Sequence, residues 1–436
     1  MKQLVLILWA LMLALPVRAA TDIQEITTSS GIKAWLVEEH SIPFVALELR
    51  FRGGTSLDAP GKRGAVNLMA GLLEEGAGER DSQAYTQALE EIAASFRFNA
   101  GDDTVSVSAK FLTETTDEAM TLLRDALITP RFDEVAVERV RGQVLSMLRS
   151  DLKDPDQIAR RSFYGAAFGD HPYGTNRDGT PESVTALARE DIVAAHKATM
   201  ARDRVVVSAV GDITAQDLAV LLDKLLADLP ETGAPIPDRA SLALKGGVTV
   251  VDFDTPQSVV MFGHEGFKRH DPDFFAAYVL NVILGGGGFE SRLMDSLREK
   301  EGLTYGVYSY LLPKDHAELY IGSFASANDR VARGVELVRQ EWQRMHDEGI
   351  TQQELDDAKT YLTGSYPLRF DGNGPIANIL TGMQLENLST DYVVTRNEQV
   401  NAVTLEDVKR VAKRLLKPEA LHFTVVGRPE GLETTH

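Results

Sequence analysis

The strongest constraint on this chain is a repeat. Val184 to Ile192 reads V-T-A-L-A-R-E-D-I and recurs at Val400 to Val408 as V-N-A-V-T-L-E-D-V. Val207-Ser-Ala-Val210-Gly211 recurs as Phe423-Thr-Val-Val426-Gly427. Both pairs lie 216 residues apart, as do Glu138 and Glu354 on two long helical patterns. A single match would mean little. One offset shared by a helix, a strand and its closing glycine means duplication. At 436 residues the chain is also too long for one ordinary core, so two domains built on one plan follow.

Each half runs strands first and helices after. In the first half, 32–37 and 45–51 have strand character, and Thr104 to Phe111 alternates as a half-buried strand. Gly64 to Leu73, Ser82 to Ala94 and Asp133 to Leu152 have helical spacing, with a last buried strand at 204–210 and a helix at 214–229. The second half predicts strands at 258–262, 304–312 and 318–324, and helices at 272–284, 329–348 and 352–366. The last of these opens on a capping box, Thr351-x-x-Glu354. Between the halves, Pro230 to Pro237 holds three prolines in eight residues, the composition of a stiff extended linker. The expected class is α+β: two homologous domains, 21–229 and 247–436, joined by a linker at 230–246. Each is a mainly antiparallel sheet covered by helices, and the two face each other as a clamp.

The N-terminus carries Lys2, a 12-residue apolar run from Leu4 to Leu15, and small residues suited to cleavage after Ala19 or Ala20. This predicts a secretory signal peptide over 1–20, a periplasmic location and no membrane anchor in the mature form. Loss of Lys2 and Arg18 takes the formal charge from −19 to −21. A surface so acidic repels nucleic acid and anionic lipid. With no cysteine, thiolate catalysis and cysteine-ligated metals are excluded.

The stretch Leu284 to Leu312 is the candidate functional unit. Gly285, Gly286, Gly287 and Gly288 end one helical segment, and Leu293, Met294 and Leu297 share a face of the next, with Arg298 near its end. Gly302 closes that helix and a strand pattern begins at Thr304. A phosphate cradle is excluded, because the glycines follow a helix rather than a strand and Glu290 and Ser291 occupy the candidate third-glycine positions. A loop that lets a peptide approach closely and a simple helix stop both remain open. The unit is expected to hold an extended peptide.

Other chemistry is sparse. None of the nine histidines pairs with another at the four-residue helical spacing of a metal site, and each reads as a satisfied surface residue. No G-x-S-x-G and no G-x-x-x-x-G-K-[ST] is present.

A duplicated α+β chain carrying L-G-G-G-x-x-x-S-R-L, then L-R-E-x-x-G-L-x-Y, resembles the pitrilysin/insulinase family of zinc metallopeptidases. Catalytic members carry H-x-x-E-H on the first helix of the first half. Here the two histidine places fall on Asn67 and Gly71 and the general-base place on Ala70. The downstream ligand place falls near Ser146-Met147-Leu148, with no carboxylate. A catalytic zinc needs about three protein ligands, so the resemblance implies no metal in this chain and no hydrolysis by it alone. It also implies that Arg298 and Tyr305 are substrate-binding groups, able to donate to one peptide carbonyl. The competing assignment has Arg298 capping its own helix and Tyr305 in the core. In the family, bacterial heterodimers divide the work. The expectation is therefore a non-catalytic, peptide-binding subunit whose zinc lies in a partner bearing H-x-x-E-H. The alternative is a non-proteolytic scaffold or peptide-binding protein of the same fold.

Overall fold

The computed structural model describes residues 22–435; the expected signal peptide lies outside them. The first half places β1 (Gln24–Thr27), β2 (Lys33–Glu38), β3 (Phe44–Arg52), β4 (Ser95–Ala100), β5 (Thr104–Leu112) and β6 (Val205–Gly211) in one sheet, ordered β1-β2-β6-β3-β5-β4. The second half builds β7 (Gly247–Asp252), β8 (Gln257–Glu265), β9 (Val307–Pro313), β10 (Glu318–Ala327) and β11 (His422–Gly427) into a sheet ordered β7-β11-β8-β10-β9. Without β1 the two orders are the same. Each sheet is mixed, with one parallel pairing: β2 on β6, and β7 on β11. The duplication seen in the residues is thus a duplication of topology.

The repeated closing glycines have a steric reason. Gly211 and Gly427 sit at φ +141° and +152°. A Cβ on Gly211 would lie 2.2 Å from the Phe44 carbonyl oxygen, and one on Gly427 2.3 Å from Ser258 Oγ. Only glycine lets the last strand of each half press this closely on its neighbour.

Both faces of each sheet are covered. On one face lie the half's own helices, in the first half α1 (Ala65–Leu72) and α2 (Glu134–Asp151). The other face takes a helix from the opposite half. Helix α3 (Pro155–Phe168) of the first half seats Ile158 and Ala159 against Val259 and Val426, and Phe163 and Ala167 against Leu319 and Ile321. In return, α7 (Asn373–Leu385), which follows α4 (Phe274–Asn281), α5 (Val331–Glu348) and α6 (Gln352–Ser365), seats Ala377, Leu380 and Met383 against Trp35, Ala46 and Val210. Residues 230–246 carry no helix or strand and are bonded to both halves: Arg204 donates to the Ala234 carbonyl, and Ala240 N–H to that of His316.

Several expectations need correction. Four histidines, His196, His264, His316 and His422, are buried rather than on the surface. His264 Nε2 accepts from Trp342 Nε1 at 2.9 Å, and burial pushes its pKa down to about 4, so it is a neutral core group. The strand expected from Thr304 begins at Val307. The helix expected to 284 is α-helical only to Asn281 and widens into a π turn over Val282–Gly286.

Candidate functional site

Helix α1 starts without a capping side chain of its own; Gly64 takes φ +95° at its N-cap. The buried Asp58 carboxylate takes that role, accepting from Gly64 N at 2.9 Å and Val66 N at 2.8 Å. Val66, Leu68, Met69, Ala70 and Leu72 are buried, while Asn67 and Gly71 are half-buried. Asn67 and Gly71, four apart, share a helix face. A Cβ on Gly71 would already touch Val140 of α2 at 3.4 Å. On α2, Ser146 and Met147 are exposed and Leu148 is buried. The side-chain donors at these positions are one amide, one hydroxyl and a thioether, which does not fit a zinc site. Among the described residues no group of three or more His, Cys, Asp or Glu could hold a metal ion.

In the second half, the turn after α4 is shaped by its glycines. A Cβ on Gly285 would lie 2.4 Å from Ser309 Oγ, one on Gly286 2.5 Å from Asn281 Nδ2, and one on Gly287 2.6 Å from the Val282 oxygen. These three glycines close the π turn onto β9 and onto itself, where Ser309 donates to Asn281 Oδ1 at 2.9 Å. Gly288, at φ +65°, faces open space.

A second π-helical segment, Met294–Lys300, buries Met294 and Leu297, with Leu293 buried at its N-cap, as the spacing predicts. Arg298 is in its last turn, one-third exposed, with Nε 3.6 Å from Glu299. The loop after it is pinned: Leu303 N–H donates to the Leu297 oxygen at 2.8 Å, Ser326 Oγ to that of Leu303 at 2.7 Å, and Arg330 to those of Glu301 and Gly302. On this fixed loop Tyr305 is 90% exposed, so it is not a core residue.

Tyr305 stands at a cleft of about 600 Å³, with Gly285, Gly286 and Gly288 in its wall; Gly287 and Arg298 are not among the lining residues. The other walls include Tyr308 and Tyr310 of β9, Tyr361 of α6, and Arg369 of the turn that follows α6. Tyr308 and Tyr310 also line a hollow of about 260 Å³ against Gln157, Arg160 and Tyr164 of α3. Those three α3 residues in turn border a cavity of about 220 Å³ that reaches Met147, where the family resemblance places the downstream ligand. Shared walls therefore run from the first half to Tyr305. Burial raises the phenol pKa of Tyr164 and Tyr310, which keeps both neutral donors.

Two groups beside this path escaped sequence reasoning. Lys314, in the β9–β10 turn, is nearly buried, pairs with Asp102 in the β4–β5 turn, and sits 3.9 Å over the Tyr173 ring. Arg292 of the S-R-L motif holds Glu354 through two bonds of 2.7 and 2.9 Å and so ties the glycine turn to the capping box of α6. The capping pattern at Thr351 pointed to half of the second group. No local signal marks the first, since its partners are 212 residues apart.

Fold and site together define a duplicated metallopeptidase-type chain with no metal-binding group among its described residues. The insulinase (peptidase family M16) description matches residues 33–180, and the peptidase M16 inactive domain matches 186–362. The chain is 30% identical to the non-peptidase homolog YmxG of Helicobacter pylori over 427 residues, 98% of each. An uncharacterized zinc protease of Streptomyces coelicolor is 26% identical over 83% of this chain and 80% of its own length. The crystal structure of a peptidase M16 inactive domain from Pseudomonas fluorescens superposes with a TM-score of 0.88 at 29% identity, covering 95% of this chain and all of that one. The chain belongs to the M16 insulinase family.

Proposed function

We propose that this chain is the non-catalytic, substrate-binding subunit of a periplasmic zinc metallopeptidase. Its halves act as a clamp on an extended peptide, and a family partner bearing H-x-x-E-H supplies zinc and general base. Arg298 and Tyr305 hold the peptide beside the partner's metal. The observation that carries this reading is the run of shared walls from Met147 to Tyr305, which has an exposed phenol at one end and no metal donor set at the other. A fixed, solvent-facing tyrosine is poised to donate to a ligand.

The test is metal content and peptide cleavage, first of the chain alone and then with a candidate partner. Alone it should hold no stoichiometric zinc and cleave nothing. With the partner, cleavage should appear and fall at least tenfold on Arg298→Ala or Tyr305→Phe, the scale of one lost oxyanion donor. Stoichiometric zinc in the isolated chain defeats the proposal. A second reading, a scaffold of the same fold without a proteolytic role, draws support from the similarity to the non-peptidase homolog of Helicobacter pylori. Partner-dependent cleavage unaffected by both substitutions would favour it.

A further inference from the structure

Five of the chain's eleven tyrosines line the one cleft at Tyr305. Tyr308 and Tyr310, two apart on β9, project on one side with their rings 6.3 Å apart and 20° from parallel. They are half-exposed, as is Tyr361 on α6. Large, rigid aromatic faces left in contact with water are a binding wall for an apolar or aromatic side chain. The volume of about 600 Å³ suits one or two residues of a peptide.

One cation accompanies them. Arg369, at the end of the short turn Pro367–Arg369, is exposed, lines the cleft, and makes no side-chain hydrogen bond or ion pair with a carboxylate among the described residues; only the nearby Tyr366 feels its charge. In a chain of formal charge −19 most arginines of this half are paired, as Arg292, Arg333, Arg410 and Arg414 are. A guanidinium kept free beside aromatic walls matches a planar carboxylate.

We propose that this cleft binds the C-terminal end of a peptide whose last residue is aromatic or large and aliphatic, with Arg369 taking the terminal carboxylate and Tyr308, Tyr310 and Tyr361 enclosing the side chain. A terminal residue carries ring and carboxylate on one Cα. In an extended chain adjacent side chains point to opposite sides, so an internal aromatic residue with a neighbouring Asp could not present both groups to one cleft. The inference rests on the peptide-binding reading above and adds which end of the peptide is held.

The test is fluorescence anisotropy of the full chain with an N-terminally labelled decapeptide ending in Phe. The peptide is compared as the free acid, as the C-terminal amide, and as an amide with Asp immediately before the Phe. The free acid should bind about tenfold more tightly than either amide, the scale of one charged hydrogen bond. Arg369→Gln should erase that preference, and Tyr361→Ala should weaken the free acid while leaving its preference over the amide. Equal binding of acid and amide, or a preference that survives Arg369→Gln, overturns the inference. So does an Asp-bearing amide that binds as well as the acid. If peptides bind without regard to their ending, this inference alone falls; if none binds at all, the peptide-binding reading falls with it.

Discussion

The contact of the β9–β10 turn with the β4–β5 turn gives a sharp energetic test of how the halves are held. Lys314 is 7% exposed at its side chain, its pair Asp102 is 23% exposed, and the Tyr173 ring lies 3.9 Å below the ammonium. Removing one partner of a buried pair costs about 3–5 kcal/mol, because a charge is left without compensation. Asp102 keeps some contact with water, and the Tyr173 ring face still attracts the cation, so Asp102→Asn is expected to cost about 2 kcal/mol. Lys314→Met removes the buried charge itself and should cost less, about 1 kcal/mol or below. The double variant should be no worse than Asp102→Asn, a coupling of about 1 kcal/mol in a double-mutant cycle. Denaturant unfolding followed at Trp35 and Trp342, one in each half, measures all four. The pH dependence has a definite sign. Burial acts to raise the Asp102 carboxyl, but Lys314, with Arg177 and Arg63, outweighs it, and the folded pKa lies below the ordinary 3.8. The contribution of Asp102 is therefore present above that value and lost as pH falls through the folded pKa, so wild type and Asp102→Asn should converge in acid. An Asp102→Asn protein within 0.5 kcal/mol of wild type at neutral pH, or costs that simply add, would refute the reasoning.

Three further outcomes are expected. Burial acts to raise Glu354, yet Arg292 and the Thr351 N–H pull it down to about 2, so Glu354→Gln should lower the melting temperature at pH 6. That difference should fade as pH drops from about 4.5 toward 2, and a difference that grows in acid would contradict the assignment. Gly285→Ala drives a methyl into Ser309 and should cost about 1–3 kcal/mol by overpacking. Gly288→Ala meets open space and should cost about 1 kcal/mol from its left-handed backbone alone; thermal unfolding that ranks the two the other way would refute the packing account. Gly211→Ala and Gly427→Ala should each lower the melting temperature by similar amounts, since both place a Cβ within 2.3 Å of a neighbouring strand.

The sheet plan was legible because its signals are local. The alternation of Val105, Val107, Ala109 and Phe111 and the repeated Gly211 and Gly427 specify strands and their close approach without reference to the rest of the chain. Helices α3 and α7 were not, although they are the structural counterparts that bind the halves together. Helix α7 begins at Asn373-Gly374-Pro375 and contains Gly382, residues that read as a loop. Its apolar face is meaningful only against Trp35 and Val210, which lie far away in sequence. At the site, the tetraglycine marked the right stretch, but its steric roles depend on β9, which no pattern within the turn can reveal. The same holds for the tyrosines. Tyr308 and Tyr310 alternate on a strand and look like ordinary half-buried positions until Arg160, Tyr164 and Tyr361 are brought beside them.

The exchange of α3 and α7 changes what the duplicated plan means for binding. Two halves joined only by residues 230–246 could open freely, and a peptide would have to order them. Here Arg50 donates to Asn378 at 2.7 Å, Arg52 to the Leu385 oxygen at 2.7 Å, and Gln384 to the Val207 oxygen at 2.8 Å, while α3 sits equally deep in the other sheet. The wall that continues from Met147 to Tyr305 is made where α3 of one half meets β9 of the other. Neither half alone contains it. A surface built this way exists before any ligand arrives, so on the proposed reading peptide association would not bear the entropy of closing the halves. The first half thus contributes to the groove without a metal-binding group among its described residues: its helix α3 shapes the side opposite the tyrosines.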